Sequence, residues 1–71
     1  MKEIENKILQ EVKENYDAIL KKYEKFNNEI AYYSKVTKSI IVLIFEGETL
    51  SEIEWGELMG KELITHKFAV K

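Results

Sequence analysis

An apolar stripe in the first half of the chain is the feature that most constrains its fold. The apolar residues of this stripe are spaced alternately three and four positions apart, which is the heptad pattern of an amphipathic helix. The pattern predicts one long helix over residues 2 to about 34, which would be about 48 Å long at 1.5 Å per residue. The stripe consists of Leu9, Val12, Tyr16, Ile19, Tyr23, Phe26, Ile30 and Tyr33.

The pair Asn27-Asn28 is the one place where this helix could break. Asn tolerates the left-handed conformation that often ends helices. If the helix ended there, residues 29–34 could form a strand. The stripe nevertheless continues in phase through Ile30 and Tyr33, and this favours a helix that runs on to about residue 34.

Two segments in the second half are predicted to be strands. Residues 39–46 contain an almost unbroken run of β-branched and aromatic side chains, which is typical of a central strand. Residues 62–70 alternate, with Ile64, His66 and Phe68 on one face.

The segment between these strands allows two interpretations. The sequence Thr49-Leu50-Ser51-Glu52 matches a capping box and favours a short helix over about 50–59. The alternation in residues 52–55 favours a strand instead. We prefer the short helix. The predicted fold class is therefore α+β, with a long N-terminal amphipathic helix packed on a small two- or three-stranded sheet and a short helix, or an extra strand, between the last two strands.

The chain of 71 residues is predicted to form a single domain, residues 1–71. A domain this small buries only about 60% of the surface that its unfolded chain exposes, so it usually needs an added constraint. The chain has no Cys and one His, which leaves oligomerisation as that constraint. Strands of about 23 Å would cover only half of the predicted helix. A homodimer is therefore expected, with its interface at Leu9, Val12, Tyr16, Ile19, Tyr23 and Phe26.

Charge is concentrated in residues 46–60, which contain five Glu and no cation although the net charge of the chain is only −2. We call this segment the acidic block. It also contains Trp55, the only Trp, and Trp is enriched among the anchors of protein interfaces. One interpretation is a solvated acidic face around a core tryptophan. The alternative is a partner-binding site in which Trp55 is partly exposed, formed by Glu46, Glu48, Glu52, Glu54, Trp55 and Glu57.

No pattern for catalysis, metal binding or cofactor binding stands out. His66 has no Cys, second His or Ser–acid pair in a local motif, and a single His on a strand is typical of a core or rim residue. The acidic block lacks the alternating Asp or Asn ligands of a calcium loop. The three glycines form no phosphate-binding loop. We therefore expect a protein that is not an enzyme and needs no cofactor or metal.

Composition also bears on the cellular setting. A pI near 5.4 and the absence of Arg weigh against direct nucleic-acid binding. The apolar run at residues 40–45 is too short to cross a bilayer and the N-terminus shows no signal peptide, so no membrane association is expected. We expect a cytoplasmic protein of the producing or infected cell. The preference for Lys, Glu, Ile, Asn and Tyr is typical of AT-rich genomes, such as those of low-GC bacteria and their phages.

The favoured function is a non-enzymatic protein-binding inhibitor or modulator from a phage or mobile element. Its acidic surface would face a basic partner, such as a nucleic-acid enzyme, because acidic rims accelerate association with positively charged grooves. One alternative is a small dimeric transcription regulator or antitoxin. Another is a structural oligomerisation module.

Overall fold

A computed structural model describes residues 2–22 and 28–70 of the chain. These residues form two short helices and four strands. The strands make one antiparallel sheet in which each strand pairs with the next one along the chain. The elements are α1 (Glu3–Glu14), α2 (Tyr16–Lys22), β1 (Glu29–Ser34), β2 (Ser39–Glu46), β3 (Thr49–Met59) and β4 (Glu62–Ala69).

The predicted long helix over residues 2–34 is wrong, and so is the predicted fold class. The described part of the second helix is Tyr16–Lys22, and residues 29–34 form the edge strand β1. Ile30 and Tyr33, which continue the helical stripe in phase, lie on opposite faces of this strand because side chains alternate along it. Backbone pairing with β2 from Glu29 to Ser34 replaces the helical hydrogen bonds. The sheet therefore has four strands rather than two or three.

The helical segment is interrupted at Asn15. This residue leaves helical geometry at φ −110° and ψ 15°, and its side-chain amide donates to the carbonyl of Glu11 at 2.9 Å. The buried stripe nevertheless continues across the break, because Ile8, Val12 and Ile19 are all in the core. The break at Asn15 therefore does not change which face of the helical segment is buried.

The predicted short helix over 50–59 is also wrong, because these residues belong to β3. A β-bulge explains the misleading pattern. Phe45 pairs with Leu50 while Ile44 pairs with Glu52, so one extra residue lies between these pairs on β3. Leu50 and Ile53 are both buried although they are three positions apart. Their spacing imitates a helical turn, whereas the bulge is its actual cause.

The strand prediction for residues 39–46 agrees with β2, and that for 62–70 agrees with β4 to within one residue. Two-residue turns connect β2 to β3 and β3 to β4. Gly47 and Gly60 begin these turns, both at φ +66°, a conformation that favours glycine in tight hairpins.

The helices cover one face of the sheet from end to end. At one end, the Glu11 carboxylate accepts hydrogen bonds from the Ser34 hydroxyl at 2.7 Å and from the Lys35 N–H at 2.8 Å. At the other end, the Tyr16 hydroxyl donates to the carbonyl of Glu48 at 3.1 Å. Between these ties lies the core, formed by Ile8, Val12, Ile19, Ile41, Leu43, Phe45, Leu50, Ile53, Trp55 and Phe68. We call the opposite side of the sheet the open face.

Candidate functional site

Trp55 is a core residue, so its expected partial exposure is wrong. Its side chain is only 2% exposed. The indole Nε1–H donates a hydrogen bond to Oε2 of Glu5 at 3.2 Å. The indole ring also stacks on the imidazole of His66, with ring centroids 4.5 Å apart. The Trp55 side chain therefore connects α1 to the sheet and is too buried in this structure to contact a partner.

Glu57 lies on the helix-facing side with Trp55. Its Oε1 is 3.0 Å from Nε2 of His66. This pair lies at the margin of the core, where His66 is 21% and Glu57 42% exposed. The contact gives Nε2 of His66 a partner, and the structure does not bring Glu57 together with the other acids of the predicted site.

Three other acids of the predicted site, Glu46, Glu48 and Glu52, lie together at one end of the sheet, where Glu29 joins them. Side chains on β2 alternate between faces, and burial of Ile41, Leu43 and Phe45 turns Glu46 toward the open face. Pairing with Ile44 puts Glu52 and Glu29 on the same face. The turn after β2 adds the exposed Glu48. We call these four residues the acidic end: Glu29, Glu46, Glu48 and Glu52.

Glu54 lies farther along the open face. It pairs with Val42 on one side and Lys67 on the other. Its Oε2 is 4.0 Å from Nζ of Lys67, a half-exposed ion pair that adds little stability. Among the residues that the structure describes, Glu46, Glu48 and Glu52 have no cation within ion-pair distance.

Large apolar side chains occupy the other end of the open face. Tyr33 pairs with Ile40, and Leu58 pairs with Leu63. Their side chains are 55%, 60%, 73% and 69% exposed, respectively. We call these four residues the apolar end. A cleft of about 450 Å³ separates the two pairs and has Val42 and Gly56 in its lining.

The cleft exists because the sheet divides at this end. Pairing between β2 and β3 stops at Val42 and Glu54, whereas β3 remains paired with β4 up to Met59 and Glu62. Gly56 leaves space in the cleft because it has no side chain. A Cβ at this position would be only 3.1 Å from Cδ1 of Leu63. The end of the β3–β4 hairpin therefore extends beyond its pairing with β2, and side chains on both of its faces are exposed.

Lysines lie in the two connections at the apolar end. The β1–β2 loop contains Lys35 and Lys38, and the β3–β4 turn contains Lys61, all of them exposed. Because the strands are antiparallel, these connections are at the opposite end of the sheet from Glu46 and Glu48. The open face thus has a negative end and an apolar end bordered by lysines.

Four residues expected at a helix-seam dimer interface pack in or against the core of the single chain instead. Val12 is fully buried and Ile19 is 4% exposed in the core of the single chain. Leu9 and Tyr16 are half-buried against the same core. The helix overhang that suggested this interface is absent from the described residues. Tyr23 and Phe26 lie outside the residues that the structure describes.

Reasoning from the sequence missed the apolar end, namely Tyr33, Ile40, Leu58 and Leu63. The alternation of residues 52–55, once extended to residue 59, could have identified Leu58 as an outward-facing strand residue. Pairing of Tyr33 with Ile40 required the edge strand β1, which the helical stripe concealed.

The described side chains offer few groups for chemistry. Within residues 2–22 and 28–70, no cluster of three or more His, Cys, Asp or Glu is placed to hold a metal ion. Burial, and secondly the Glu11 carboxylate, raise the pKa of the Tyr32 phenol. Neither α1 nor α2 combines the length and the hydropathy of a bilayer-crossing helix.

The geometry thus directs attention to the open face of the sheet, where charge and apolar surface are separated. Comparison with known proteins adds no functional assignment to this surface. No protein-family model, no curated protein and no solved structure matches this chain.

Proposed function

We propose that this protein is a non-enzymatic modulator that binds another protein by placing its acidic end on a basic surface. The observation that carries the proposal is the exposure of Glu46 and Glu48 at one end of the sheet face opposite the described helices. Both side chains are exposed, and neither contributes to the core.

Electrostatics favours a basic partner. An exposed group of like charges raises the association rate with a surface of opposite charge and discourages partners of the same charge. Grooves that bind nucleic acids are positively charged, so a protein of this kind could be inhibited by occupation of its groove. Glu29 and Glu52 extend the negative surface along the open face beside the turn.

The test uses two matched double variants. Glu46→Gln/Glu48→Gln neutralises the acidic end, whereas Glu14→Gln/Asp17→Asn removes the same charge from exposed positions of the helical layer. Both changes keep side-chain size and affect residues outside the core. Circular dichroism and urea unfolding should confirm that both variants fold like the wild type.

Each protein is then immobilised and exposed to a lysate of a low-GC bacterium, and the retained proteins are identified by mass spectrometry. The proposal predicts a basic protein that is retained by the wild type and by the helical-layer variant but not by Glu46→Gln/Glu48→Gln. Association of this purified protein should slow with added salt, because long-range attraction between exposed charges is screened beyond about 10 Å at 0.1 M ionic strength. Equal retention by all three proteins would contradict the proposal. Binding of the wild type to duplex DNA in a mobility-shift assay would contradict it too, in favour of a transcription regulator.

A further inference from the structure

We propose that a second copy of this chain covers the apolar end of the open face, with the two sheets face to face and their strands running in opposite directions. The starting observation is the exposure of Tyr33, Ile40, Leu58 and Leu63 at one end of the open face, in two pairs on either side of the cleft. Monomeric proteins rarely leave such clusters in water, because burying large apolar side chains is favourable.

The charges around the apolar end favour a second copy of this chain as the protein that covers it. Lys35, Lys38 and Lys61 border the apolar end, so this end repels the basic partner that the acidic end attracts. The surface that complements lysines beside an apolar patch is an apolar patch beside carboxylates. The open face itself provides this combination, since Ile44 lies next to Glu52 and Val42 lies next to Glu54, which shares its charge with Lys67 at 4.0 Å.

Charge also fixes the orientation. Two identical sheets packed face to face can be related by a two-fold axis parallel to the strands or across them. The parallel axis would superimpose the acidic ends of the two copies and would be repulsive. The axis across the strands directs the lysine-bearing connections of each copy toward the acids of the other.

The β2 residues on the open face fit this symmetry. Ile40, Val42 and Ile44 form a continuous apolar row along the strand. An axis close to Ile40 packs this residue against its own symmetry mate and brings Leu58 over the Val42 region of the second copy. Lys38 and Lys61 then approach Glu54 and Glu52 of the second copy.

The same overlap leaves Glu46 and Glu48 outside the interface. The dimer would therefore present two acidic ends that point in opposite directions, each available to a basic partner. The interface proposed here uses the sheet, not the helical stripe, because Val12 and Ile19 are already covered within one chain.

Sedimentation equilibrium with two matched substitutions tests the interface. Leu58 and Met59 are neighbours on the hairpin, 73% and 57% exposed, but they face opposite sides of the ribbon. At micromolar concentration the wild type should have about twice the 8.4 kDa mass of the chain. Leu58→Glu should sediment as a folded monomer, whereas Met59→Glu should remain a dimer. A wild type of single-chain mass, or equal effects of the two substitutions, would overturn the proposal.

A charge exchange tests the orientation. Lys61→Glu should raise the Kd of the dimer about tenfold, because it places two acids opposite each other. Adding Glu52→Lys in the same chain should restore most of the lost affinity, since each interface would again contain opposite charges. A double variant that dimerises no better than Lys61→Glu would overturn the antiparallel arrangement.

Discussion

The indole Nε1–H of Trp55 and the Oε2 of Glu5 are joined by a 3.2 Å hydrogen bond between residues 50 positions apart in the chain. Glu5 is 8% exposed, so its carboxylate lies at the edge of the core rather than in solvent. The contact joins the first turns of α1 to the centre of β3. It explains why an acid is retained on the buried side of an amphipathic helix.

Removing the acceptor should destabilise the fold. Glu5→Ala leaves the buried Trp55 N–H without its partner and also removes the 3.4 Å hydrogen bond from the Lys2 N–H to Oε1. We expect the free energy of unfolding to fall by about 1–3 kcal/mol. Glu5→Gln keeps an acceptor oxygen and should lose less. Glu3→Ala is the control, because Glu3 is exposed on the same helix and its ion pair with Lys7, at 3.7 Å, is on the surface. Urea unfolding followed by the fluorescence of the single Trp measures all three. Equal stability of Glu5→Ala and Glu3→Ala would show that the hydrogen bond contributes nothing.

A second prediction concerns the stripe that the helices bury. Ile19 is 4% exposed in the core, so Ile19→Ala should lower the free energy of unfolding by about 2–5 kcal/mol through lost packing and a cavity. Lys22→Ala, at an exposed position of the same helix, should change it by less than about 0.5 kcal/mol. A small effect of Ile19→Ala in thermal unfolding would contradict the packing of α2 on the sheet.

A third prediction follows from Tyr32. Burial and then the nearby Glu11 raise its pKa above the ordinary value of 10.0. The folded state therefore holds the phenol proton more tightly than the unfolded state. The stability that this provides is complete below about pH 10 and is lost as pH rises through the folded-state pKa.

Tyr32→Phe has no proton to lose and should show a weaker fall in stability over that range than the wild type. Urea unfolding on both sides of pH 10 measures the difference. Glu11→Gln should lower the phenol pKa toward its ordinary value, as read from the ultraviolet absorbance of phenolate. Identical pH dependence for Tyr32→Phe and the wild type would refute this interpretation.

A fourth prediction separates two glycines of the β3–β4 hairpin. Gly60 has φ +66° and open space around its Cα, so Gly60→Ala should cost about 1–2 kcal/mol through backbone strain alone. At Gly56 the backbone is ordinary and the neighbour of a new Cβ is the flexible, exposed side chain of Leu63. Gly56→Ala should therefore change stability less. The reverse order in thermal unfolding would contradict the turn geometry.

The sequence predicts the strands more reliably than the helix that precedes them. The unbroken β-branched run of residues 39–46 permits one interpretation, and β2 has those bounds. The heptad stripe instead includes residues of both helices and of the strand β1. Ile30 and Tyr33 continue its phase by coincidence, because a spacing of three is compatible with either a helix or two faces of a strand. Pairing between β1 and β2, which decides the matter, depends on residues five to fifteen positions away along the chain.

The candidate site was predictable only in part. Glu46 and Glu48 are exposed, as a solvated acidic surface requires. The prediction that Trp55 is partly exposed was wrong because Glu54, its neighbour in sequence, points to the opposite face of the strand. The hydrogen bond to Glu5 has no local signal at all, since its partners are brought together only by the packing of α1 on the sheet.

The central claim is that the open face of the sheet is an interaction surface, and its proposed two-fold axis passes close to Ile40. Because the chain has no Cys, a single Cys can report this proximity. A disulfide requires Cβ atoms within about 3.5–4.5 Å, so only residues near the axis can link identical chains readily. On mild oxidation at micromolar concentration, Ile40→Cys should give a covalent dimer, whereas Met59→Cys, on the other side of the sheet, should remain monomeric in denaturing electrophoresis. Absence of the cross-link from Ile40→Cys, or equal cross-linking of both variants, would contradict the claim.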